Sequence, residues 1–388
     1  MRGIRIGSLF GIPIKLDVTF LIVLPLFAWL IGSDIGNLVT AINGLFEPDL
    51  AGSAMTGGLQ WTMGAAAAVG LFLCVLLHEF GHSLVAMRYG YEIDSITLWL
   101  FGGVASFTEM PENWKQEFTI AVAGPVVSVL LGVVSWVGFR YVPVEANSLR
   151  FVLGYLAITN VTLAVFNMLP GFPMDGGRVL RALLARTRPH AQATKIAAEV
   201  GKIFAFLLGL FGLFANLFLV ALAFFIYMAA SGEAQQSVMK ATFEDVTVRD
   251  IMTPTGQLNT VSEETSVADL MDRMFRERHT GYPVMRDDRL VGLVTLDDAR
   301  QVNEIERDAY RVEDVMSREL TTIGPDADAM EAILTMQRQG IGRLPVVEDG
   351  ELVGLVTRSD LVTAFNIIQS GGSTSGLRRE EPPALDLQ

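Results

Sequence analysis

The sequence predicts a polytopic α-helical membrane domain, six transmembrane helices with a small β-hairpin, followed by a soluble α/β pair of tandem repeats. Three observations carry this. Of 388 residues 51% are hydrophobic and only 18% charged, with a mean hydropathy of +0.41, whereas globular domains carry about 25% charged residues. Almost all of the net charge of −13 falls after residue 236. The segment 248–299 is also repeated, in the same order of elements, at 312–361. An acidic chain without a basic patch excludes nucleic acid as a partner. Its one cysteine, Cys74, excludes an intramolecular disulfide and a multi-cysteine zinc site.

A helical span takes about 20 apolar residues, and such stretches lie near 16–33, 62–88, 117–139, 149–169, 197–213 and 215–232. The first is flanked by Lys15 and Asp17 without a small-residue cleavage pattern, so it reads as a retained span and not a signal peptide. The stretch 197–232 is too long for one span, and Gly212 with Asn216 offers a reversal. Six spans gather nearly all basic residues of the membrane part on one side. Arg140 and Arg150 fall on the other, and 34–60 has no Lys or Arg. The positive-inside rule then predicts a multi-pass cell-membrane protein with both termini cytoplasmic. Between the second and third spans, Gly102-Gly103 separates the β-prone runs ITLWLF and VASF, which predicts a hairpin turning at the glycines.

After the last span the expected domains are a linker at 237–247, repeats at 248–309 and 310–369, and a disordered Gly/Ser/Pro-bearing tail at 370–388, with 1–236 as the membrane domain. Each repeat opens with Asp-Ile/Val-Met, continues with a helix at DLMDRM or EAILTM, and closes with a PV strand, an acidic turn and GLVT-x-x-D. That order implies two small α/β units packed side by side.

His78-Glu79-Phe80-Gly81-His82 lies inside the second stretch. On a helix, positions i and i+4 share a face, so both imidazoles can bind one Zn²⁺ while the glutamate serves as base toward a water. Ionisable residues within a span are costly and point to function. A catalytic zinc takes three protein ligands and keeps one open position. His190 follows Pro189 in a basic loop and His279 falls in the acidic part, so both read as surface residues; Cys74, one turn before His78, reads as a packing residue. Asp175 remains, in Asn167-Met-Leu-Pro-Gly-Phe-Pro-Met-Asp-Gly-Gly177. It reads either as a turn residue or as a carboxylate aimed inward from a Pro-broken helix end.

HEFGH in one span with N-x-x-P-x-x-P-x-D-G-G in a later one resembles the site-2 protease family of intramembrane zinc metalloproteases, and the trailing repeat resembles cystathionine-beta-synthase (CBS) domains, as in the branch that carries both. The resemblance implies one zinc per chain held by His78, His82 and Asp175, Glu79 as the general base, and a substrate or oxyanion contact for Asn167. It also implies a membrane-associated hairpin at Leu100–Val104. Gly124-Pro125 resembles the family's G-P-x-x-N motif, with Ser128 where Asn is frequent. In CBS domains the Thr and Asp of GLVT-x-x-D contact phosphate and ribose of an adenine nucleotide, which implies nucleotide sites at Thr295 and Asp298 and at Thr357 and Asp360. The alternative for both aspartates is a helix cap.

These features predict an endopeptidase that hydrolyses a peptide bond in a transmembrane segment of another protein within the lipid bilayer, regulated by adenine nucleotide and assembled as a homodimer through the CBS domains. The rival readings are a CBS-gated cation channel or transporter and a catalytically silent nucleotide-sensing scaffold. A glutamate fixed beside the first histidine speaks against transport, which has no use for a base there.

Overall fold

The computed structural model describes residues 3–46, 50, 57–99, 102–107, 111 and 113–370. Leu100 and Phe101 of the expected hairpin, and the expected tail from residue 371, lie outside the described residues. The chain divides into two compact units, Met1–Ser237 and Val238–Gln388.

The first unit opens with a hairpin absent from the sequence reading, strands β1 (Ile4–Leu9) and β2 (Ile12–Leu16). Phe10 and Gly11 join them with φ of 53° and 82°, the two left-handed residues of a tight primed turn. The strand β2 runs parallel to β3 (Ile93–Trp99), which pairs antiparallel with β4 (Gly102–Phe107). The order β1-β2-β3-β4 leaves β4 at an edge. The expected turn at Gly102-Gly103 is corrected: both glycines are strand residues, paired with Trp99 and Leu98.

The helices of this unit are α1 (Phe20–Ser33), α2 (Ile35–Phe46), α3 (Gly58–Arg88), α4 (Trp114–Tyr141), α5 (Asn147–Asn167), α6 (Asp175–Ala185), α7 (His190–Ala215) and α8 (Leu217–Thr242). The first expected span contracts to α1. Asp17 Oδ1 accepts hydrogen bonds from the Thr19 backbone N–H at 2.9 Å and its hydroxyl at 2.7 Å, holding the chain in a turn ahead of Phe20. At Asp34 the chain then bends by 70° into α2. The 14 residues of α1 rise about 21 Å, short of a hydrocarbon layer of about 30 Å. By length and composition α3, α4, α5, α7 and α8 can cross a membrane, and the bent pair brings the number up to 6. The reversal at Asn216 is built by its side chain, whose Oδ1 accepts from the Phe218 N–H at 2.8 Å.

Two loop expectations are also corrected. The helix α7 begins at His190, so this histidine is a helix residue. The helix α8 continues to Thr242, so 237–242 of the expected linker is helical; EAQQSVMKAT at 233–242 holds no Gly or Pro to stop it.

The second unit contains α9 (Val248–Ile251), β5 (Thr253–Pro254), β6 (Val261–Ser262), α10 (Val267–Glu277), β7 (Gly281–Arg286), β8 (Arg289–Thr295), α11 (Leu296–Arg300), α12 (Val312–Val315), α13 (Ala329–Gln339), β9 (Arg343–Glu348), β10 (Glu351–Thr357) and α14 (Arg358–Gln369). Two three-stranded sheets result, in orders β6-β7-β8 and β5-β10-β9. Each centres on one hairpin per repeat, turned by Asp287-Asp288 or Asp349-Gly350 with positive φ. Val267, Leu270 and Met274 of α10 and Ala329, Ala332 and Met336 of α13 are buried at helical spacing and complete the cores of the first and second repeats.

Candidate metal centre

The helix α3 places His78 and His82 on one buried face, each 3% exposed, with ring centroids 4.9 Å apart. Asp175 comes from elsewhere. Pro170 and Pro173 follow the end of α5, and the chain re-enters a helix at Asp175, the first residue of α6. Its Oδ2 lies 3.1 Å from His78 Nε2 and 3.2 Å from His82 Nε2, and the two nitrogens are 3.2 Å apart.

The far sides of both rings are held by α4. His82 Nδ1 donates to the Ile120 carbonyl at 2.7 Å, leaving the Nε2 lone pair facing Asp175. His78 Nδ1 hydrogen-bonds Ser128 Oγ at 2.8 Å. Ser128, the residue that departs from the G-P-x-x-N pattern, therefore contacts the first histidine. Gly124 lets α4 come this close: a Cβ there would stand 2.2 Å from His82 Nε2 and 2.7 Å from His78 Nε2.

His78, His82 and Asp175 form the one group of metal-competent side chains with atoms within 4.8 Å of one another among the described residues. Two imidazole nitrogens and a carboxylate oxygen converging this tightly repel one another unless a cation or shared protons lie among them. The second ring nitrogens, already bonded, fix tautomer and orientation as metal-binding histidines require. The donor set of two nitrogens and one oxygen fits zinc with an open position.

Glu79 is half-buried on the adjoining face of α3. Gly103 of β4 packs onto it so closely that a Cβ would stand 2.5 Å from Glu79 Cγ. Asn167, the last residue of α5, is half-buried, and its side chain makes no hydrogen bond among the described residues. Cys74 is buried and outside the cluster. His279 is exposed. His190 Nε2 lies 3.6 Å from Glu117 Oε2, in a buried ion pair of Glu117 with Arg181.

In the second unit, Thr295 and Asp298, like Thr357 and Asp360, form capping boxes. Each threonine hydroxyl donates to its aspartate Oδ2, at 2.6 Å and 2.7 Å, and so does each threonine backbone N–H, at 2.8 Å and 2.9 Å. The cap alternative is thus realised at both positions, while Oδ1 of each aspartate accepts no hydrogen bond among the described residues.

Ser128, Ile120 and Gly124 are site residues whose roles the spacing of the zinc motif does not signal. Two histidines and a carboxylate able to hold a metal, with Glu79 beside them and among helices apolar enough to cross a membrane, define the class of a membrane metalloenzyme. The model of peptidase family M50 matches residues 66–146 and 142–210, and the CBS domain model matches 248–303 and 312–367. The zinc metalloprotease MJ0392 of Methanocaldococcus jannaschii is 33% identical over 368 residues, 95% of this chain and 97% of the relative. Stage IV sporulation protein FB of Bacillus subtilis is 29% identical over 163 residues, 42% of this chain and 55% of that protein. A solved site-2 protease from Methanocaldococcus jannaschii is 34% identical, covering 60% of this chain and 95% of that one, with a TM-score of 0.42. The chain belongs to peptidase family M50, the site-2 type of zinc metalloprotease, in the form that carries tandem CBS domains.

Proposed function

We propose that this metalloprotease hydrolyses a peptide bond in a transmembrane segment of another protein, using Glu79 as general base beside a zinc held by His78, His82 and Asp175. The observation that carries the reading is the convergence of Asp175 on the two histidines, 97 and 93 residues away in sequence, on a buried face of membrane-type helices. Zinc bound there would supply a Lewis acid for the scissile carbonyl and lower the proton affinity of the attacking water. Glu79 takes the proton of that water and delivers it to the leaving nitrogen. Ser128 and the Ile120 carbonyl hold the rings so that both Nε2 atoms face Asp175.

A helical substrate hides its scissile carbonyl, so it must unwind before attack. The edge strand β4, lying against Glu79 at Gly103, offers backbone groups to an extended segment by strand addition. Asn167 is proposed to contact that segment. The test is cleavage of a fluorophore-labelled single-span peptide in detergent. Zinc-dependent cleavage that Glu79→Gln abolishes, with metal content retained, supports the reading; undiminished cleavage by Glu79→Gln overturns it.

An adenine nucleotide is proposed to bind the CBS pair, its ribose on the free Oδ1 of Asp298 or Asp360 and its phosphates near Thr295 or Thr357. Homodimerisation through this pair, cytoplasmic termini and the domain limits given above belong to the same reading. Isothermal calorimetry with adenosine mono-, di- and triphosphate tests the nucleotide; no heat at millimolar ligand leaves the repeats as a dimerisation module.

A further inference from the structure

The helix α6 carries Arg178 and Arg181, and Arg186 and the exposed Arg188 follow it. Arg181 is buried, donates through Nε to Glu117 Oε1 at 2.5 Å, and lies over the Phe172 ring at 4.9 Å. Arg186 lies over the Trp114 ring at 5.7 Å. Arg178 is half-buried and makes no hydrogen bond, ion pair or ring contact among the described residues. A guanidinium has five donors, and withdrawing them from water without a partner is unfavourable. Satisfying them falls to solvent or to a ligand.

The position of Arg178 identifies the ligand. It follows Asp175 by three residues, so the two share a face of α6, separated by one helical turn. The Arg181 contacts anchor α6 and fix which way that face looks. Asp175 meets His78, whose chain neighbour Glu79 is the side chain against which Gly103 of β4 packs. Asp175, Glu79 and Gly103 thus mark the region that Arg178 borders. An apolar transmembrane segment unwound in this region brings carbonyl groups stripped of their helical partners and has few side chains to satisfy them.

Resting on the protease reading above, we propose that Arg178 is a substrate-binding residue whose guanidinium donates hydrogen bonds to backbone carbonyl oxygens of the unwound substrate segment beside the scissile bond. Its fork matches two such oxygens, which a lysine ammonium does not reproduce.

The test uses the full chain in detergent, loaded with zinc and carrying Glu79→Gln so that the probe stays intact. The probe is the fluorophore-labelled single-span peptide, with affinity read by anisotropy and bound metal by atomic emission. Adding Arg178→Gln weakens peptide binding about 10- to 100-fold, the range for lost hydrogen bonds to a charged group, with metal content unchanged. Arg178→Lys recovers part of the loss. Affinity within twofold of the Glu79→Gln chain overturns the assignment. So does a loss of metal in parallel with affinity, which would make Arg178 a support of α6, and so does a peptide with no measurable affinity for the Glu79→Gln chain. Failure of the protease reading is separate: it appears as absence of turnover with Glu79 intact, whatever the binding series shows.

Discussion

At the scale of residues, the site works through groups that bond the histidines from behind. Ser128 Oγ, at 2.8 Å from His78 Nδ1, sets how that ring presents Nε2, and losing such a partner lowers metal affinity by about 10- to 100-fold in comparable sites. Ser128→Ala is therefore expected to weaken zinc binding to that extent, read by competition with a chelator, while Glu79→Gln leaves affinity near that of the parent. A second residue-scale expectation concerns the CBS unit. Glu277 accepts hydrogen bonds from Arg273 Nε at 2.7 Å and from the Tyr282 hydroxyl at 2.8 Å, and these contacts hold its carboxyl below its ordinary 4.5. A depressed acid contributes stability that is present above 4.5 and lost as pH falls through the folded value. The urea midpoint of this unit in the full chain should fall on acidification below about 4.5. Glu277→Gln should flatten that fall, and an unchanged pH profile would rule the pair out as its source.

Among elements, β4 and the capped helices of the repeats make the sharpest statements. A methyl on Gly103 would stand 2.5 Å from Glu79 Cγ, so Gly103→Ala must displace either the strand or the base. Its expected signature is a fall in kcat with metal content intact, measured in the peptide cleavage assay; equal loss of metal would show that the helix α3 itself had moved. The capping boxes of α11 and α14 each satisfy backbone donors at a helix start. Thr295→Ala and Thr357→Ala should each cost about 1 kcal/mol of stability in the absence of nucleotide, read from urea denaturation. The fold was legible in these elements wherever periodicity was local. The zinc-motif helix and the repeated strand-turn-strand pattern of GLVT-x-x-D could be read directly. The strands β1 and β2 could not, because five or six residues interrupted by Gly7 or Pro13 form a stable pair only when β3, some 80 residues further along, supplies the third strand. The helix α2 was hidden for a related reason: Ser33, Asp34 and Asn37 end the first apolar stretch, and the 70° bend by which the helix resumes is a property of backbone direction.

For the whole molecule, an apolar helical unit and an acidic repeat unit sit in one chain, and the basic-residue bias sets the proposed orientation. Cysteine labelling in a Cys74→Ser background tests it. Glu145→Cys and Glu244→Cys, both at exposed positions, should react oppositely with an impermeant reagent in intact cells; equal labelling would refute the orientation. The sequence by itself determined the two-part architecture, the histidine pair with its glutamate, and the repeat, since each rests on composition or on spacing within a few turns of chain. Whether Asp175 was a turn residue or a partner of the histidines could not be decided by spacing, because 97 residues separate it from His78. The tertiary structure decided that its carboxylate meets the two rings. It also decided that Ser128 and the Ile120 carbonyl orient those rings and that Gly124 makes room for them. These are matters of close approach between distant segments, and such contacts follow from how helices and strands pack, which no local pattern of residues specifies.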